Sequence, residues 1–158
     1  MSASLESDVD LLGGIDFFAG FSAEHLRLIA FSAESRSLPE KLLLYDEGQL
    51  LHSAYVVASG SMRGERKPKR PGESPMQRPI GPGVILGDRA LILDTRADES
   101  VRVESRARVL QIRKAMFRRL LQENPAIAVV LRARLARSFV AQSTELGRIA
   151  ERLRGLGD

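Results

Sequence analysis

The sequence predicts a mainly β chain, an antiparallel sandwich or barrel with helical segments on either side. From Ser35 onward, apolar residues fall in short runs with a period near 2, bounded by turn residues, whereas a period near 3.6 precedes them. Glycines stand between those runs at Gly48, Gly60, Gly81 and Gly83, and glycine suits turns that demand a positive φ. After Asn124-Pro125 the pattern turns helical again and meets no breaker before Gly147.

With 158 residues the chain suffices for one domain with a hydrophobic core and is short for two of ordinary size. Apolar residues at 44% and charged residues at 28% give a globular rather than a disordered or fibrous composition. No run of about 18 apolar residues marks a membrane span, and the acidic start MSASLESDVD is unlike a signal peptide. The absence of cysteine excludes disulfide and thiolate chemistry, so the expected location is the cytoplasm. His25 and His52 alone, far apart and without cysteines, do not make a metal site. No G-x-S-x-G or dinucleotide fingerprint is present, so an enzyme is not expected.

The net charge of +4 is unevenly spread. Residues 1–60 hold three basic and nine acidic groups, and residues 105–158 hold twelve basic and four acidic ones. A basic C-terminal part fits either a solvated helix face or a nucleic-acid contact.

In chain order, Leu11–Gly20 is apolar but broken by glycines, and Ser22 is placed to cap a helix over about 23–31 that buries Leu26, Ile29 and Ala30. Strands are expected over Lys41–Tyr45, Ala54–Ala58, a pair flanking the loop 63–78, Val84–Leu86, Val101–Glu104 and Arg108–Ile112, with turns at Pro39-Glu40, Glu47–Gln49, Ser59-Gly60 and Gly81–Gly83. Residues 62–79 are rich in Lys, Arg, Pro and Gly and poor in β-branched residues. They read as a hairpin tip, either a surface insertion or a contact for an acidic partner. Lys114–Gln122 reads as a short helix. From Pro125 a helix of about 30 residues, to about Leu153, would span about 45 Å. Its apolar or small residues at 128, 131, 135, 139, 146, 149, 153 and 156 form a heptad-like seam, with Gln142 in the remaining slot. A small barrel cannot cover that length, and a second copy of the same helix is the economical partner.

The stretch Gly81–Val101 reads GPGVILGDRALILDTRADESV. It holds parts suited to a sugar phosphate: a carboxylate at Asp88 for ribose hydroxyls, a short apolar helical turn over Ala90–Leu93, and an arginine at Arg96 for the oxygens of the cyclic phosphate. Gly87, Ala90, Leu91, Arg96, Ser100 and Val101 match the phosphate-binding cassette of the cyclic-nucleotide-binding domain family, whose pattern is roughly G-E-x-A-L, a variable loop, then R-x-A-T/S-V. The order E-G-x-x-x-x-x-A-Y-V-V-x-S-G from Glu47 to Gly60 also resembles that family, and Ala133–Ala150 resembles the dimerisation helix of the bacterial catabolite activator proteins. The resemblance covers about residues 15–153.

The resemblance implies a jelly-roll β-barrel, or β-roll, over about 35–113, flanked by short N-terminal helices and the long helix over about 125–153 as a dimerisation element. The chain is then one binding unit over 1–158. Gly87, Asp88, Ala90, Leu91, Arg96, Ala97 and Ser100 become candidate ligand contacts, and Gln142 and Ser143 would reach the purine base from each subunit. Arg137 flanks the core. The implied ligand is cAMP ahead of cGMP or another cyclic nucleotide, since Ala97 supplies no hydroxyl beside the arginine. No helix-turn-helix follows Leu153, so a DNA-reading element is not expected.

This chain departs from the family pattern at several positions. Asp88 replaces the usual glutamate, and counting back from Val101 places Ala97 at the arginine position, with Arg96 one residue early. Asp98 and Glu99 replace small residues, and two acids beside a phosphate are unfavourable unless they point outward. The first function expected is a dimeric cyclic-nucleotide sensor that signals through its C-terminal helix. The second is a degenerate member without nucleotide, serving as a dimerisation module that docks another protein on the barrel or on the basic stretch Arg63–Arg78.

Overall fold

The computed structural model describes residues 2–136. They form α1 (Ser2–Gly13), α2 (Ala23–Ser32), β1 (Glu34–Leu38), β2 (Leu43–Tyr45), β3 (Leu50–Leu51), β4 (Ser53–Arg66), β5 (Met76–Ile80), β6 (Ile85–Leu86), β7 (Thr95–Arg96), β8 (Ser100–Arg113) and α3 (Lys114–Glu123). A fourth helical segment, α4, occupies 125–136. Short 3-10 turns lie at Asp16–Phe18 and Asp88–Leu91. Every strand pairing is antiparallel. Among the described residues no helix is long and apolar enough to cross a membrane.

Two 14-residue strands, β4 and β8, pair from Ser53↔Arg113 to Glu65↔Ser100 and form the spine. β1 and β2 pair with β8, β5 and β6 pair with β4, and β3 pairs with β7 in a separate two-stranded ladder. The expected closed barrel is therefore corrected to an open roll: among the described residues, the path β1-β8-β4-β5 does not pair at its ends. Closure fails because the remaining strands are short, and because β4 and β8 bend through register shifts between Val57 and Met62 instead of continuing a flat ladder.

Those shifts also correct the expected turn at Ser59-Gly60. Gly60 lies inside β4 with φ +86, and a Cβ there would stand 2.3 Å from the Arg106 carbonyl oxygen. Glycine serves close approach at a bulge rather than a hairpin. The two expected strands Val101–Glu104 and Arg108–Ile112 consequently merge into β8. Much of the stretch 62–79 is ladder too. Met62 is fully buried and pairs with Ile80, and charged side chains there pair across strands, Arg63 with Glu104 and Arg66 with Asp98. Cross-strand partners thus stabilise residues of weak β propensity.

The sheet separates two cores. Ala54, Val56, Leu110 and Ile112 face the helices and pack with Leu12, Phe18, Ile29, Phe117, Ile127 and Leu131. Met62, Ile80, Val101, Val103 and Val109 face the inside of the roll with Leu38, Tyr45 and Leu86. Ser22 caps α2 as expected: its hydroxyl accepts the His25 N–H at 3.1 Å, and Leu26, Ile29 and Ala30 are buried. The helix α1, about three turns long, was not legible because its acids hid the pattern. Yet Asp8, Val9 and Leu12 turn inward, and Asp8 pairs with Arg108 at 2.9 Å.

In α4 the buried residues are Ile127 and Leu131, docked on the helical core of the same chain, while Ala128 and Leu135 are half-buried. The expected seam therefore starts one residue late, since its first turn is covered by α3 and the N-terminal segment. The remainder of the expected helix, including Arg137, Gln142 and Ser143, lies outside the described residues.

Gly48 and Gly60 both have positive φ, at +85 and +86, but no atom lies within 4 Å of a Cβ at Gly48. Gly48→Ala is expected to cost about 1–2 kcal/mol from backbone strain alone, and Gly60→Ala distinctly more because backbone must also shift. Urea denaturation of both variants checks the difference; equal costs would contradict the bulge geometry.

Candidate functional site

The cassette starts at Gly87, which takes the left-handed conformation at φ +73 where a Cβ would lie 3.1 Å from the Ser53 carbonyl oxygen. It leads into the 3-10 turn Asp88–Leu91, whose Ala90 is buried in the roll interior and Leu91 in the helical core. One short turn is thereby pinned from both sides. Asp88 is half-buried, and its Oδ1 accepts the Arg89 N–H at 3.0 Å. The chain then enters β7, where Arg96 pairs with Leu50, and Ala97 is buried while its N–H reaches the Gln49 carbonyl at 2.8 Å.

Arg96 and Ser100 both turn to the β2–β3 loop. The exposed Arg96 donates from Nη1 to the Gly48 carbonyl at 3.0 Å. The Ser100 hydroxyl donates to Asp46 Oδ1 at 2.6 Å and accepts the Glu47 N–H at 2.9 Å. The Ser100 bond holds the Asp46 carboxyl below the usual carboxylate range.

The two acids that follow Ala97 part ways. Asp98 is exposed and pairs with Arg66 at 2.9 Å. Glu99 points inward, is only 4% exposed, and accepts from Arg78 Nε at 2.9 and 3.0 Å and from Arg78 Nη2. Of the two acids, only Asp98 meets the condition of pointing outward. β8 alternates, so Glu99 shares the inward side with Val101 and Val103, and it is tolerated there because an arginine neutralises it. Arg78 reaches it because β5 alternates likewise: Arg78 pairs with Gly64 as Ile80 pairs with Met62. Gly64 leaves the room, since a Cβ there would lie 2.3 Å from Glu99 Oε2. The Glu99 hydrogen bond holds the Arg78 guanidinium charged beyond its ordinary range.

The far end of the cassette is tied to the helices. Lys114, the first residue of α3, is buried and donates to Asp94 Oδ1 at 2.5 Å, which holds the Asp94 carboxyl low. The Lys114 N–H also donates to the His52 carbonyl at 2.9 Å.

A glycine-started turn between two cores, followed by a β7–β8 return on an antiparallel roll, is matched by a family model. The model for the cyclic nucleotide-binding domain matches residues 35–124. The chain belongs to the cyclic nucleotide-binding domain family. It is similar to the structure of a cyclic nucleotide-binding-like protein from Brucella abortus, with 34% identity over 73% of this chain and 97% of that one and a TM-score of 0.65. The fold is also shared with the N-terminal domain of a transcriptional regulator from Streptomyces coelicolor, at 20% identity, 87% and 95% coverage and a TM-score of 0.80. A third similar structure is the regulatory domain of Toxoplasma gondii PKA with cAMP, at 18% identity, 86% and 51% coverage and a TM-score of 0.66. No curated protein sequence matches.

Within this cyclic nucleotide-binding domain the structure brings Gly87, Asp88, Ala90 and Leu91 into one turn and buries Ala97 beside Tyr45 and Val101 in the same inner cluster. It sends the side chains of Arg96 and Ser100 to the β2–β3 loop. Arg78 and Gly64, which adjoin Glu99, and Tyr45 of the inner cluster were not singled out from the sequence. The alternation 78/80 and 99/101/103 was their available signal, hidden by reading 62–79 as a tip.

Burial, reinforced by Glu99, pushes the Tyr45 phenol well above its ordinary 10.0. Folding then favours the protonated phenol, so stability is intact below pH 10.0 and falls as pH rises above it. Denaturant unfolding at pH 9 and pH 11 is expected to show a smaller loss in Tyr45→Phe than in wild type. An equal loss would place the phenol in solvent.

Proposed function

We propose that this chain is a cyclic-nucleotide sensor rather than an enzyme, one binding unit over residues 1–158, with cAMP as its ligand. The observation that carries this is the Gly87–Leu91 turn, held between the two cores inside a cyclic nucleotide-binding domain. Asp88, half-buried at the start of that turn, takes the ribose hydroxyls. Arg96 adds positive charge at the rim, and Ala97, without a hydroxyl, favours cAMP over cGMP. Gln142 and Ser143 are proposed to reach the base from the two subunits of a homodimer.

The route from ligand to output runs through Asp94. A ligand that moves the cassette pulls on the Lys114 ammonium at the start of α3, and α3 leads directly into α4. The dimer is expected to form through residues 125–153, with a second protein reading the change.

Titration calorimetry with cAMP and cGMP on the full chain tests the ligand. cAMP is expected to bind more tightly and, at a hundred times its dissociation constant, to add about 2.7 kcal/mol of stability. Stabilisation by neither nucleotide would overturn the assignment. Light scattering at tens of micromolar is expected to give a dimer that Leu135→Glu weakens, with the melting temperature of the variant checked because Leu135 also touches its own core. A strict monomer in wild type would remove the dimer.

A further inference from the structure

Among the described residues, the Arg78–Glu99 pair joins a cassette carboxylate buried in the roll to a half-exposed arginine on β5. Ala97 occupies the position where the family pattern carries arginine, and it is buried and cannot bind an anion. Arg96 is engaged with the Gly48 carbonyl at the surface. Arg78 differs from both. It stands on the inward side of β5, one step from Ile80, and its guanidinium grips both carboxylate oxygens of a cassette residue. Such a fork fits paired phosphate oxygens as well as it fits a carboxylate.

We infer that Arg78 is the arginine that takes the cyclic phosphate in this chain, and that Glu99 is an internal anion occupying it until the ligand displaces it. This rests on the nucleotide-binding function proposed above. Three features fit the assignment. Glu99 is buried, at 5% side-chain exposure, whereas Arg78 is half exposed, so the guanidinium is reachable from solvent while its partner is not. Gly64 provides space for the carboxylate, since a Cβ there would stand 2.3 Å from Glu99 Oε2 in its present position. Asp98, the neighbouring acid, is neutralised separately by Arg66 and does not compete for Arg78. A cyclic phosphate carries a single negative charge, so replacing the Glu99 carboxylate on Arg78 keeps the fork satisfied. The carboxylate must then leave the pocket or take other donors, which sets a threshold that weak anions do not pass.

Calorimetry with cAMP on the full chain tests this with five proteins: wild type, Glu99→Gln, Arg78→Ala, the double variant Arg78→Ala/Glu99→Gln, and Arg78→Lys. Glu99→Gln keeps the side-chain shape and removes the competing charge, and it is expected to bind cAMP at least about ten-fold more tightly than wild type. The double variant is expected to lose that gain. Arg78→Lys keeps a cation beside Glu99 but not the fork, and is expected to weaken binding about ten-fold, which tests Arg78 even if Glu99→Gln misfolds. Circular dichroism confirms the fold of each protein. A Glu99→Gln affinity equal to wild type, or a gain that survives in the double variant, overturns the inference and leaves the nucleotide-binding function standing if wild type binds. Binding by Glu99→Gln but not by wild type supports the inference and removes native cAMP sensing. No binding by any of the five overturns both.

Discussion

The architecture depends on the pairing of β4 with β8. Each strand is long enough to serve two cores, and the alternation of side chains decides which core each residue joins. Positions 110 and 112 of β8 face the helices; positions 101 and 103 face the roll. On either side of the irregular stretch between Val57 and Met62 the register is fixed, and a slip of one residue there would exchange the two sets. The bulge at Gly60 bends the pair and shifts its register, so that β4 turns Val56 to the helices and Met62 to the roll while β8 keeps one alternation. The cassette inherits its position from this ladder, since Ser100 pairs with Glu65 and Val101 with Gly64, and the residues just before them must lie at the mouth of the roll.

The same register accounts for the buried charge. Glu99 continues the inward series of Val101 and Val103, so its carboxylate is buried and depends on Arg78 for its hydrogen bonds. Removing one partner of a buried ion pair costs about 3–5 kcal/mol; with Arg78 half exposed the lower end applies. Surface pairs such as Arg27–Glu6 contribute at most about 1 kcal/mol. The Arg78–Glu99 pair is therefore the electrostatic contact with most at stake in the roll.

Much of the fold was legible in the sequence because it rests on local rules. The Ser22 cap, the α2 face, the short α3 and the cassette turn each follow from spacing and residue type. The long strands were not legible in full. β8 passes through Ser105 and Arg106, and β4 runs on to Arg66, because their polar residues are stabilised by partners far along the chain, such as Arg63 by Glu104 and Ser61 by Ser105 at 2.8 Å. α1 was missed because its acids concealed the inward spacing of Leu5, Val9 and Leu12. In the site, the sequence pointed to the turn at Gly87 and flagged Asp98 and Glu99 as a conflict. Only the cross-strand register could reveal that one acid leaves and the other is matched by Arg78.

A crystal structure of the full chain grown with cAMP addresses the central claim most directly. The account predicts phosphate oxygens within hydrogen-bond distance of both the Arg78 Nε and Nη2 atoms, with the Glu99 carboxylate rotated away from them. Bound cAMP with the Arg78–Glu99 fork intact and the phosphate held elsewhere would contradict it.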